Sequence, residues 1–145
     1  MLVNPYLSFE GRCEEALHFY QQALGAQVGM LLRSKDAPPI EGGAPEPPEG
    51  CVPEGGIPGD KILHVEFTVG GSTLMATDGM NSGKADFRGI SLALSVDAEA
   101  EAQRLFNALA DGGQVQMPLA KTFFSPAFGM VADRFGVCWM VVTNP

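Results

Sequence analysis

The sequence predicts an α+β protein built from two copies of a βαβββ module, and three observations predict it. Apolar residues alternate, turn helical, then alternate again through three strands, and after a connection the same order repeats. Short stretches recur in matching order: "YLSF" (6–9) with "ALSV" (93–96), "GAQV" (25–28) with "GGQV" (112–115), "TLMAT" (73–77) with "CWMVV" (138–142). The helical stripes Ala16, Phe19, Tyr20, Ala23 and Ala102, Leu105, Phe106, Leu109 share one spacing. Each match is weak alone, and their common order along the chain argues duplication.

The elements follow in turn. "VNPYLSFEG" alternates and reads as an opening strand, with Pro5 tolerable where a strand lacks one partner. "CEEALHFYQQALG" is a helix, with Glu14 and Glu15 favourable in its first turn and Gly25 as its left-handed stop. "AQVGMLLR" is a second strand. "KILHVEFTVGG" and "STLMATDG" form a hairpin turned by Gly70-Gly71. After a connection over 79–88, "GISLALSVD" is a strand, and Asp97 is a candidate N-cap for a helix over Ala98–Ala110 that stops at Gly112-Gly113. "QVQMPLA", "FGMVAD" and "VCWMVVT" complete the second module, with Phe135-Gly136 turning the last pair. The modules span roughly 1–80 and 86–145 of one 145-residue domain.

Residues 34–60 break the pattern with seven prolines and six glycines, and with Ile40, Val52 and Ile57 as their only long aliphatic side chains. Such a stretch cannot bury enough surface to order itself. It is expected to be a mobile flap over a cleft or an arm laid on a partner subunit.

Composition narrows the function. The formal charge of −8 and nine scattered Lys+Arg residues disfavour nucleic acid, whose phosphates need a basic footprint. No apolar run reaches membrane-spanning length and no basic-then-apolar stretch opens the sequence, so neither a membrane span nor a secretory leader is expected. Cys13, Cys51 and Cys138 are widely spaced and odd in number, which suits a reduced, cytoplasmic protein. Cys138, in an apolar strand, reads as a small buried hydrophobe. With no G-x-S-x-G elbow, phosphate loop or dinucleotide fingerprint, no cofactor is expected.

Strand alternation sorts the faces. In "KILHVEFTV", Leu63, Val65, Phe67 and Val69 form the side expected to meet a helix, and Ile62, His64, Glu66 and Thr68 face away. In "VNPYLSF", Val3, Pro5, Leu7 and Phe9 pack while Asn4, Tyr6 and Ser8 oppose them. Leu92, Leu94 and Val96 pack while Ser91, Ala93 and Ser95 oppose. Val137, Trp139 and Val141 lie opposite Cys138, Met140 and Val142.

Four stretches, "NPYLSFEGRCEEALHFYQQALGA" (4–26), "ILHVEFTVGGSTLMATD" (62–78), "ISLALSVD" (90–97) and "MVADRFGVCWMVVTNP" (130–145), resemble the vicinal oxygen chelate superfamily of glyoxalase I, bleomycin-resistance proteins and extradiol dioxygenases. Within it the chain is similar to the PhnB-like branch, most specifically in its closing Asp-x-Phe-Gly-x-x-Trp (133–139). The resemblance implies curled mixed sheets around a shared cleft, in a homodimer. It also implies four metal-ligand positions, which here hold Tyr6, Met75, Ser91 and Met140. Thioether, hydroxyl and phenol make a poor set for Zn²⁺, Ni²⁺ or Fe²⁺, so no metal is expected at that position.

The residues expected at a ligand are therefore Tyr6, His64, Glu66, Met75, Ser91, Phe124 and Met140. Phe124 comes from "KTFFSPAFGMVAD", whose aromatics around Ser125-Pro126 cap the cleft, pack against a partner, or pack ordinarily in the core and at its edge. His64, Glu66 and Tyr6 are the weak catalytic candidates, because imidazole titrates near neutrality and a nearby carboxylate can fix its tautomer. His64 and Glu66 are equally compatible with a wet or intersubunit surface. His18, the other histidine, reads as helix-surface or core-edge packing. Three function classes remain open: a small-molecule binding protein without the usual metal centre; a lyase, isomerase or transferase using the cleft residues; and a dimeric structural protein.

Overall fold

The computed structural model describes residues 1–37 and 57–144. Most of the proline- and glycine-rich stretch assigned to a flap or arm lies outside the described residues. The chain divides into two compact units, Met1–Ala85 and Asp86–Pro145. Among the described residues, each unit holds one α-helix on an open, four-stranded mixed sheet.

In the first unit the elements are β1 (Tyr6–Ser8), α1 (Cys13–Leu24), β2 (Gln27–Arg33), β3 (Ile62–Val69) and β4 (Ser72–Thr77), with sheet order β1-β4-β3-β2. In the second they are β5 (Ser91–Val96), α2 (Glu99–Ala110), β6 (Gln114–Ala120), β7 (Phe128–Ala132) and β8 (Cys138–Thr143), in the order β5-β8-β7-β6. The first strand of each unit pairs in parallel with the last, and the remaining pairs are antiparallel. The duplicated βαβββ pattern read from the letters is thus duplicated topology. Pro118 is accommodated because β6 is an edge strand.

α1 buries Cys13, Ala16, Leu17, Tyr20 and Ala23 against its sheet, so Leu17 takes the place the stripe assigned to Phe19, which is half-buried. Tyr20 is fully buried, stacked 6.1 Å from Phe67 at 7° and 6.2 Å from Phe9. Gly25 ends the helix with φ of 67°, a conformation that favours glycine. α2 buries Ala102, Leu105, Phe106 and Leu109, as its periodicity predicts.

Three expectations are corrected. Asp97 is not an N-cap: Ala98 holds that position without a side-chain cap, and the Asp97 carboxylate accepts from Asn144 Nδ2 at 3.3 Å. Val3 is exposed, because β1 begins only at Tyr6 and Val3 lies ahead of the strand. Cys138 is half-buried on the helix-averted face, and among the described cysteines it is Cys13 that is fully buried.

Buried carboxylates close both units. Asp78, 2% exposed, accepts from Cys13 N at 2.8 Å and Ile62 N at 2.6 Å, joining the first turn of α1 to the start of β3. It supplies from 65 residues away the acceptor that no local side chain offers at the helix N-terminus. Asp133 accepts from Phe135 N at 2.9 Å, Val137 N at 3.1 Å and Trp139 Nε1 at 2.9 Å. The spacing of Asp-x-Phe-Gly-x-x-Trp is that of one carboxylate folding a hairpin around itself. Among the described residues, no helix is long and apolar enough to cross a membrane.

Candidate functional site

The helix-averted face of the first sheet is built by register. Tyr6 on β1 lies opposite Met75 on β4, and Met75 lies opposite Glu66 on β3, so the three form one row across the sheet. The next row along β3 holds His64, opposite Leu32 on β2. The Tyr6 ring is long enough to cross the diagonal between rows. Its hydroxyl reaches His64 Nδ1 at 3.1 Å, and the two rings stack with centroids 5.6 Å apart.

His64 Nε2 lies 3.8 Å from Glu66 Oε1. That is too long for a direct hydrogen bond and short enough for a polar ligand atom or a water to connect the two. In the tautomer protonated at Nε2, Tyr6 donates to Nδ1 and the remaining N–H points toward Glu66. The side chains of His64 and Glu66 are 23% and 44% exposed, and Tyr6 is 51% exposed, so the array is reachable from outside.

The alternation breaks just before His64. Arg33 pairs with Ile62 and Leu32 with His64, leaving Leu63 as an extra residue on β3. This bulge reverses the expectation for the strand start: Ile62 is buried and Leu63 is exposed, while from His64 onward the predicted faces hold. A second bulge lies on β2, where Gly29 and Met30 together oppose Glu66 between the pairs Val28–Phe67 and Leu31–Val65. Beside it opens a pocket of about 300 Å³, lined by Gln27, Gly29, Glu66, Thr68 and Thr73 among others. The lone glycine inside "AQVGMLLR" is the sequence signal that could have located this bulge. Thr68, read as facing away from the helix, is brought together with Thr73 and Gln27 only by the ladder.

The other predicted residues belong to the second unit. Met140 on β8 is half-buried opposite Ala93, and Ser91 is exposed opposite Cys138. Phe124 is 46% exposed and packs edge-on against Phe123 and the buried Phe128. Its turn is held from beneath by Ser125, whose buried hydroxyl lies 2.6 Å from the Thr143 carbonyl. Ser125 is thus a structural hydrogen-bonding residue. His18 is exposed on α1.

As donors for a hard or borderline metal ion, Tyr6, Met75, Ser91 and Met140 do not fit: they offer two soft thioethers, an alcohol and a phenol. Among the described residues, no three His, Cys, Asp or Glu side chains cluster as a metal site.

Comparison with known proteins gives a consistent picture. The family described as 3-demethylubiquinone-9 3-methyltransferase matches residues 49–142. Protein YjdN of Escherichia coli (strain K12) is 36% identical over 141 residues, covering 97% of this chain and 94% of that protein. The crystal structure of protein PA1353 from Pseudomonas aeruginosa is 43% identical, with a TM-score of 0.77 over 99% of this chain and 98% of that one. A putative 3-demethylubiquinone-9 3-methyltransferase, PhnB protein, from Bacillus cereus is 25% identical, with a TM-score of 0.75 over 99% of this chain and all of that one (100%). A glyoxalase-related enzyme from Fulvimarina pelagi shares the fold at 21% identity and a TM-score of 0.62, covering 100% of this chain and 88% of that one.

Proposed function

Since the chain belongs to the PhnB-like family described as 3-demethylubiquinone-9 3-methyltransferase, within the vicinal oxygen chelate superfamily, we propose that it binds a small organic molecule on the helix-averted face of its first sheet, without that superfamily's usual metal centre. The observation that carries the proposal is the Tyr6–His64–Glu66 array: three reachable polar side chains, joined through 3.1 Å and 3.8 Å separations, beside a pocket. A solvated sheet face has no need to hold an imidazole by stacking and hydrogen bonding together. A few polar groups converging beside apolar Met75 suit a ligand with one or two polar atoms.

Equilibrium titration of the full chain against a broad metabolite panel tests the proposal. Saturable binding is expected, and His64→Ala should weaken it about tenfold, the scale of one hydrogen bond to a half-buried group. Absence of any saturable ligand overturns the proposal, and unchanged affinity in the variant removes His64 from the site.

A second reading is an enzyme in which the same array moves a proton in lyase, isomerase or transferase chemistry. The contact between Tyr6 and His64 Nδ1, with Glu66 near the other ring nitrogen, favours it. The activity in the family's description belongs to the transferase class. Mass analysis of the same panel, with a methyl donor included, would reveal product.

The proposal extends to a homodimer. Val3, Ile90 and Phe123 are 92%, 70% and 100% exposed, large apolar side chains that a second subunit would cover. Light scattering on the purified protein should give twice the 15.3 kDa subunit mass, and a monomer at micromolar concentration would refute it.

A further inference from the structure

Resting on that binding reading, we infer that the site selects ligands carrying a protonated amine, seated on Glu66 in the pocket at the β2 bulge. In a regular ladder each β3 residue faces one residue of β2, but Glu66 faces Gly29 and Met30 together. The extra residue bends β2, and glycine contributes no side chain to fill the space. The resulting pocket of about 300 Å³ is at the small end of ligand sites and suits a head group of a few heavy atoms.

Among the described residues that line it, Val28 and Phe67 are apolar and Glu66 alone carries a charge. Thr68 is paired with both Gln27 and Thr73, so an amide and two hydroxyls make a row across β2, β3 and β4 beside the Glu66 carboxylate. Hydroxyls and amides can accept as well as donate, and an ionised carboxylate only accepts. None of the described residues lining the pocket is Lys or Arg. An ammonium group brings three donors and a positive charge to such a lining. A ligand carboxylate or phosphate would meet Glu66 with no compensating cation there. The chain's net charge of −8 biases encounter in the same direction. Glu66 Oε1 lies 3.8 Å from His64 Nε2, beyond direct hydrogen-bond reach, so the carboxylate oxygens can accept from an incoming donor.

The test uses three probes of equal size, butylammonium, 1-butanol and butanoate, titrated into the ¹⁵N-labelled full chain. Butylammonium should saturate, shift the amides of residues 27–29, 66–68 and 73, and bind at least tenfold more tightly than either other probe. Glu66→Gln, which keeps shape and removes charge, should abolish that preference, and 0.5 M NaCl should weaken it. The ranking of probes by the unmodified protein tests the inference even if the variant fails to fold. Equal or weaker binding of the amine overturns the amine preference. If butanol or butanoate saturates at the same amides, the binding reading stands and only the ligand class is lost. If no probe and no metabolite saturates, both are lost.

Discussion

Replacing Asp78 with alanine should cost about 3–5 kcal/mol, because its carboxylate alone accepts from two buried backbone N–H groups, Cys13 N at 2.8 Å and Ile62 N at 2.6 Å. Each N–H left unpaired in the interior costs about 1–3 kcal/mol, and the lost bonds were charge-assisted. Neither group has an evident route to solvent, since Asp78, Cys13 and Ile62 are 2%, 0% and 1% exposed. Against a total stability of about 5–15 kcal/mol this is a large fraction. With a urea dependence of about 2 kcal/mol per molar, the unfolding midpoint should fall by about 2 M. The backbone bond from Asp78 N to Ile62 O at 2.8 Å survives the substitution, so β3 keeps one tie at its start. Asp78→Asn, with one acceptor oxygen and one misplaced donor, should lose about half as much. Urea unfolding followed by circular dichroism reads both values. A midpoint shift below about 0.5 M for the alanine variant would refute the assignment of Asp78 as the joint between α1 and β3.

Further outcomes follow from the same geometry. The Cys13 thiol is pushed up to about 12 by burial, and then by the negative charges of Asp78 and Glu14. The unfolded thiol ionises near 9 while the folded one stays neutral, so the stability it contributes is complete below that value. It is lost as pH rises toward 12, at up to about 1.4 kcal/mol per unit. Cys13→Ala should flatten the loss between pH 9 and 10, and identical pH curves would show that Cys13 is not protected. Gly129→Ala should cost about 1–3 kcal/mol, since a Cβ there would lie 2.7 Å from Phe106 Cε2 and 3.0 Å from the Leu119 backbone. Trimming Phe106 to leucine should recover part of that loss, read as a non-additive double-mutant cycle in urea unfolding. Asp133→Asn keeps the hairpin acceptor and turns a donor toward Trp139 Nε1, so it should lose about 2 kcal/mol and shift the tryptophan emission. An unchanged emission spectrum would contradict that contact. Tyr6→Phe should alter the His64 tautomer ratio seen by ¹⁵N NMR without loss of stability, because the hydroxyl it removes is at an accessible site.

Much of the fold was legible because it rests on local periodicity. The α2 stripe, the β3–β4 hairpin and the repeated element order are short-range signals, and the structure repeats them in both units. The faces of β5 and β8 also alternate as read, although Leu92, Leu94 and Val96 on the edge strand β5 are only half-buried. The misreadings have a common cause. Leu63 and Ile62 exchanged faces because a bulge adds one residue to the count, and a bulge is a property of two paired strands. Asp97 stands where a capping residue belongs by sequence, yet its carboxylate is engaged by Asn144 at the far end of the unit.

The candidate site divides along the same line. Sequence alone determined that His64, Glu66 and Tyr6 share the helix-averted side of their strands, because side chains alternate with a period of two. The resemblance pointed to Tyr6, Met75, Ser91 and Met140 as the ligand positions, and their side chains are a poor donor set for a borderline metal. Only the tertiary structure decided that the Tyr6 ring reaches His64 across β4, that Glu66 sits opposite a bulge, and that Gln27, Thr68 and Thr73 line one pocket with it. Those facts depend on strand order and register between segments up to 58 residues apart, which the alternation within one strand cannot encode.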